Sequence, residues 1–123
     1  MYVKAQIRHR NFIPCIYSLL DVGVINENDT LLQMARCSWD MYMQEIIGTL
    51  IIGASVILLH PQGNMDIPYL VRTLSVKHIT YIHCVPSYLN ALCHYFETRM
   101  EECQLRGLRS LCISGRYISS LVA

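Results

Sequence analysis

Charge is scarce in this chain of 123 residues: 15% of them are Asp, Glu, Lys or Arg, and the formal net charge is +1. A balance so close to neutral, with both signs interspersed, offers no field for nucleic acid. The basic cluster Arg8-His9-Arg10 is short and reads as a solvated loop or helix start. A glycine-rich phosphate loop is absent, which counts against independent nucleotide chemistry. Neither Ser87 nor Ser114 has a G-x-S-x-G context, so a hydrolase nucleophile is unsupported. The histidines, at 9, 60, 78, 83 and 94, never recur as H-x-H or H-x-x-x-H, and no metal site is expected. The six cysteines form no C-x-x-C pair, and no signal peptide is expected before them. Reduced thiols in a cytoplasm are the expectation, with Cys84 and Cys112 acting as small hydrophobes inside apolar runs. The uncharged run 46–59 is shorter than the roughly 20 residues that cross a bilayer. It is broken by Gly53-Ala54-Ser55 and followed by His60-Pro61, so it reads as two buried elements joined by a tight turn rather than a membrane anchor.

What the chain does have is apolar content, 53% of its residues, enough for one core-rich domain. Asn11 is the expected cap of a first helix in which Phe12, Ile16, Leu19 and Leu20 share a face, with Pro14 in its first turn and Gly23 as its stop. Turn residues at 26–29 lead to a strand over 30–35, a loop around Trp39 and an amphipathic helix over 40–52. The stretch 55–60 lacks polar alternation, as in a strand buried on both faces. Asp66 caps a helix carrying Ile67, Leu70, Val71 and Leu74, with Pro68 in the first turn. A strand over 79–84 ends at Val85-Pro86, and a helix follows with Leu89, Leu92, Cys93 and Phe96 inward. A polar stretch, 97–104, passes through Gly107 to a last strand over 108–113. Strands recurring every roughly 25 to 30 residues have the spacing of βαβ units, and no L-x-x-L-x-L repeat suggests a solenoid. The expected fold is therefore α/β: a mostly parallel sheet of about four strands with flanking helices and right-handed crossovers.

Asp40 is the acid that directly follows a strand unit and precedes an apolar helix. It suits a helix N-cap, and it suits an anionic anchor for a cationic ligand group; a helix N-terminus favours the ionised carboxylate in either role. Open α/β sheets bind ligands at the carboxyl ends of their strands, which is where Asp40 falls. His83, inside the third strand, reads either as core filler or as a residue with a tunable proton. Cys112 and Ser114 alternate along the last strand and point the same way.

Five segments resemble, in order, motifs of the adenylate-forming, or AMP-binding, superfamily. Lys4-Ala5-Gln6-Ile7-Arg8-His9-Arg10-Asn11-Phe12 is similar to P-K-G-V-x-x-x-H-R-N-L, and Trp39-Asp40-Met41-Tyr42 to F-D-x-S. Gly48 to Ala54 resembles x-x-L-x-x-G-A, Thr80 to Ser87 resembles T-x-x-x-x-V-P-S, and Leu108 to Gly115 resembles L-R-x-L-x-x-G-G-E. The resemblance is strongest to the adenylation domain of nonribosomal peptide synthetases. It implies formation of an acyl-adenylate from a carboxylic acid and ATP with Mg²⁺, then transfer to the thiol of a phosphopantetheine carrier domain. By the same resemblance Asp40 pairs with the α-ammonium of an amino-acid substrate, Met41, Gln44, His83, Cys112 and Ser114 line its side-chain pocket, and Lys4 belongs to the nucleotide-binding part. An ammonium taken out of water needs such a charged partner.

Val3 stands where the family has proline, Tyr42 where it has serine and Arg116 where it has glutamate. The expectation is a partial adenylation domain over 1–115 with a divergent tail over 116–123, inactive alone and needing no cofactor of its own. A non-catalytic α/β interaction module, self-associating through exposed apolar surface, is the rival expectation. Neither reading involves nucleic acid or a membrane.

Overall fold

The computed structural model describes residues 6–99, 105 and 107–115. Lys4, Cys103 and the tail 116–123 lie outside them. The first elements among the described residues are helix α1 (His9–Asp21) and strand β1 (Thr30–Gln33). A helical segment follows in three pieces: α2 (Asp40–Met43), a π-helical turn (Gln44–Gly48) and α3 (Thr49–Ile51). Strand β2 (Ser55–Leu58), a 3-10 turn (Gly63–Met65), helix α4 (Ile67–Val76), strand β3 (Tyr81–Cys84), helix α5 (Pro86–Arg99) and strand β4 (Ser110–Ile113) complete the order among the described residues.

The four strands form one parallel sheet in the order β2-β1-β3-β4. The chain steps outward from β1 to β2, then returns past β1 to β3 and continues to β4. With right-handed crossovers this reversal sends the helices to opposite faces. Strand alternation supplies both cores. Leu32, Ile82 and Cys84 face Leu70, Leu74 and Leu92 of α4 and α5. Leu31 and Tyr81 face Ile16 of α1, with Ile52 packed beside them. The point of reversal lies between β1 and β3, and its carboxyl edge is where an open sheet leaves a crevice.

The parallel α/β architecture expected from the spacing is the one found. Its details correct the sequence reading in several places. Helix α1 begins at His9 rather than after Asn11, because Arg8 takes the extended cap conformation and its carbonyl accepts the N–H groups of Asn11 and Phe12. Pro14 is therefore inside the helix, beyond its first turn. Strand β2 is not buried on both faces: it is an edge strand, with Ser55 and Leu58 exposed. Each strand is four residues long, shorter than its apolar run, and β1 meets β3 through the register pair Leu31 with Tyr81. Cys93 points to solvent, since Leu92 takes the inward position on α5. Asp66 does cap α4, accepting the N–H of Tyr69 at 3.0 Å. The run 46–59 turns at Gly53, whose φ of +79° favours glycine over any residue with a Cβ. Among the described residues no helix is long and apolar enough to cross a membrane.

The amino edge of the sheet is closed by an ionic network. Asp29, 3% exposed, accepts from Arg109 Nε at 3.0 Å and pairs with Nη2 of the same guanidinium. Arg109 also donates to the carbonyls of Gly23 and Val24, and Thr80 Oγ1 donates to Asp29 at 2.7 Å. Asp29, Thr80 and Arg109 each immediately precede a strand, so the network ties β1, β3 and β4 together with the end of α1.

Candidate functional site

At the opposite, carboxyl edge the strands leave a cavity of about 540 Å³, within the usual size range of small-molecule sites. One wall is the end of β1 and the loop after it, Met34, Ala35 and Arg36. A second is the helical segment, presenting Asp40, Met41 and Gln44 with Trp39 at the rim. The floor comes from β3 and β4, through His83, Cys84 and Ser114. Gly115 completes the rim with φ +114°, and a Cβ there would meet Val85 Cγ1 at 3.5 Å.

Asp40 is the first residue of α2, not its cap. Trp39 holds the extended cap position without a side-chain bond, and Asp40 Oδ1 accepts the N–H of Met41 at 2.9 Å. The carboxylate is exposed and sits in the first turn, where the helix dipole favours a negative charge. Gln44 lies one turn on and shares its face, as i,i+4 spacing requires. There the helix departs from the continuous 40–52 pattern. The π-helical turn begins at Gln44, and Gly48 within it lies so close to α1 that a Cβ would come within 2.5 Å of Ile16 Cδ1. Such single turns inside helices are frequent at functional sites.

His83 is 8% exposed, and its Nε2 lies 2.9 Å from Ser114 Oγ. Ser114 Oγ also donates to Met41 Sδ at 3.3 Å. A hydroxyl has one hydrogen; given to sulfur, it leaves the imidazole Nε2–H donating to the serine oxygen. Nδ1 is then a buried acceptor with no partner. Burial holds His83 below the usual histidine pKa, while the charge of Asp40 pulls the other way. The ring is accordingly a neutral, polar floor. Tyr88, which residue patterning did not single out, lines the cavity from α5; burial pushes its hydroxyl up to about 12, and that hydroxyl also lacks a partner. Asn64, in the turn after β2, donates to the Met34 carbonyl at 3.3 Å and closes the far side.

The structure thus brings Asp40, Met41, Gln44, His83 and Ser114 to one cavity. Cys112 is the register partner of His83, but it packs with Ile16 and Tyr81 behind the floor and is not on the cavity wall. Lys4 is outside the described residues. Arg36, Asn64 and Tyr88 were missed, although each follows the end of a strand, the position that the ligand rule for open sheets would have flagged. Among the described residues no group of His, Cys, Asp or Glu could hold a metal ion.

Comparison with known proteins bears on the family and the fold. The family model described as AMP-binding enzyme matches residues 5–123. Zwittermicin A synthase ZmaJ of Bacillus cereus is 28% identical over 114 residues, covering 93% of this chain and 22% of that protein. Vanchrobactin synthetase VabF of Vibrio anguillarum is 33% identical over 67 residues, 54% of this chain and 2% of that protein. This chain therefore spans about a fifth or less of the length of these relatives. Among solved structures, the nonribosomal peptide synthetase FmoA3 superimposes with a TM-score of 0.82 at 22% identity, covering 91% of this chain and 12% of that one. A further structure of FmoA3 is described as its alpha-methyl-L-serine-AMP bound form. CmiS6 gives a TM-score of 0.74 at 25% identity, covering 90% of this chain and 26% of that one. A match across nearly the whole sequence, on an adenylation-type subdomain fold, places this chain in the AMP-binding enzyme family.

Proposed function

We propose that the cavity is the substrate side-chain pocket of an amino-acid-activating adenylation domain. The observation that carries this reading is the convergence of Asp40, Met41, Gln44, His83 and Ser114 at the carboxyl edge of the sheet, at its point of reversal. Asp40 would hold the α-ammonium, and the Ser114–His83 pair would meet the side chain. The rim carries one acid, Asp40, and one base, Arg36, which suits a zwitterion. Cys112 would act from behind, by packing against the floor.

The parent reaction, ATP-dependent acyl-adenylate formation and transfer to a carrier thiol, needs a nucleotide and Mg²⁺. The described residues do not fit that group: they contain neither a glycine-rich phosphate loop nor a metal-binding cluster. Only recognition of the acid is assigned to these residues, and the chain alone is expected to be inactive. Its partial-domain span is proposed as 1–115.

The test is titration of the nitrogen-labelled chain with L-amino acids and with the matching α-hydroxy acids. The amino acids should shift the amides of Met41 and Ser114 and the hydroxy acids should not, with Asp40→Asn abolishing the difference. Equal shifts with both series would overturn the ammonium role. Amino-acid-dependent pyrophosphate exchange by the chain would overturn its inactivity. A second reading, a non-catalytic interaction module, is supported by exposed apolar side chains such as Tyr17, Leu50 and Leu58. It predicts concentration-dependent association in sedimentation.

A further inference from the structure

Glu45 stands next to Gln44 of the cavity wall, yet its side chain turns inward and is 1% exposed. Its Oε2 accepts the backbone N–H groups of Met34 at 2.9 Å and Ala35 at 2.8 Å, the two residues that follow β1. Sheet pairing has ended there: the last pair between β1 and β2 is Gln33 with Leu58. Without the carboxylate these N–H groups would have no acceptor from the ladder. Met34 and Ala35 line the cavity from the strand side, and Gln44 lines it from the helix side. Glu45 Oε1, by contrast, is buried with no hydrogen-bond partner. A buried carboxyl group is costly, so its retention calls for a role that a small neutral side chain would not fill.

We propose that Glu45 is a positioning residue for the cavity: through Oε2 it fastens the carboxyl end of β1 to the helical wall that carries Asp40, Met41 and Gln44, and so fixes the width of the cleft between them. The inference concerns the walls and holds for any occupant. It therefore succeeds or fails separately from the amino-acid reading.

The surroundings make the contact sensitive to protons. Tyr81 of β3 has a buried hydroxyl whose ionisation is opposed by burial first, then by Cys112 of β4, and less by the Glu45 charge, while Gln44 favours it. No positive side chain among the described residues offsets the Glu45 charge. Burial pushes its carboxyl up to about 7, against the pull of the two N–H bonds. Asp40 acts on His83, a different pair on the cavity side.

The experiment is amide NMR of the full nitrogen-labelled chain, as wild type, Glu45→Gln, Glu45→Ala and Thr73→Ala. Thr73→Ala removes a hydroxyl bonded to the Tyr69 carbonyl on α4, remote from the cavity, and serves as a destabilised control. In wild type the Met34 and Ala35 amide shifts should titrate together with a midpoint near 7. Glu45→Gln should lose that titration and keep both amides protected from exchange, since its carbonyl oxygen can still accept. Glu45→Ala should lose protection at these two amides by about tenfold or more and shift the amides of Asp40, Met41 and Gln44. Thr73→Ala should leave all five at their wild-type shifts. The proposal is overturned if the Met34 and Ala35 titration survives in Glu45→Gln, or if Thr73→Ala moves the cavity amides as Glu45→Ala does. Should Glu45→Ala fail to fold, the comparison of wild type with Glu45→Gln decides.

Discussion

Replacing Glu45 by Gln should change how stability depends on pH, and the sign follows from burial. The carboxyl titrates at about 7 in the folded chain against a reference of 4.5, so between these values the folded state binds the proton that the unfolded state has released. Stability from this group is fully present below 4.5 and is lost as pH rises through 7. A difference of about two and a half pKa units corresponds to about 3 kcal/mol. Glutamine has no proton to lose. The stability difference, variant minus wild type, should therefore grow by about 3 kcal/mol in favour of Gln across that window. Two other groups must be kept apart from this effect. Burial lowers the His83 pKa, so its contribution rises with pH and opposes that of Glu45, but it is common to both proteins and cancels in the difference. Asp29 is held below the usual carboxylate range by its hydrogen bonds to Arg109 and Thr80, which outweigh its burial, so it stays ionised throughout. Urea unfolding followed by circular dichroism at several pH values supplies the measurement. A difference that is flat with pH, or that falls as pH rises, would refute the reasoning about burial.

Three further outcomes are expected. Arg109→Ala removes a half-exposed guanidinium from the buried Asp29 and frees the carbonyls of Gly23 and Val24, so it should cost about 1 to 2 kcal/mol in the same unfolding assay, a loss that shrinks as acid protonates Asp29. Gly48→Ala should destabilise by about 1 kcal/mol despite the better helix former, because its Cβ would press on Ile16 Cδ1 at 2.5 Å; adding Ile16→Val, which removes that atom, should recover part of the loss, and strict additivity in the cycle would contradict the clash. Asp40→Asn should alter stability by less than about 0.5 kcal/mol, since the side chain is exposed and does not cap the helix from Trp39; a larger loss would give Asp40 a structural role.

The alternation of strand and helix was legible because a parallel sheet demands it: apolar runs separated by amphipathic crossovers have few other solutions. Asp66 was legible as a cap because capping is local, reaching three residues along the chain. The same local rule misplaced Asn11 and Asp40, where the backbones of Arg8 and Trp39 take the cap position instead. Strand β2 reads as a central strand, yet it lies at an edge, and edge or centre is a property of strand order rather than of the run itself. Glu45 was the least legible. Between Gln44 and Ile46 it looks like an ordinary helix acid, and its burial depends on a π-helical turn and on a strand end eleven residues upstream. Arg109 meets Asp29 across 80 residues, beyond any local pattern.

The two edges of the sheet show why these less legible residues matter. At the amino edge, the Asp29 carboxylate, the Thr80 hydroxyl and the Arg109 guanidinium are matched with one another and with backbone carbonyls. At the carboxyl edge, Glu45 Oε1, His83 Nδ1 and the Tyr88 hydroxyl are buried without partners. Native interiors rarely leave such groups unmatched, and each one costs stability unless a water or ligand completes it. The unmatched atoms at the carboxyl edge stand beside matched ones, Glu45 Oε2 with two backbone N–H groups and His83 Nε2 with Ser114 Oγ. An apolar residue of similar size at Glu45 would remove one buried carboxyl but leave the Met34 and Ala35 N–H groups unmatched. Kept beside the cavity, His83 and Tyr88 cost stability and give the cleft a polar lining that a water or a ligand would complete.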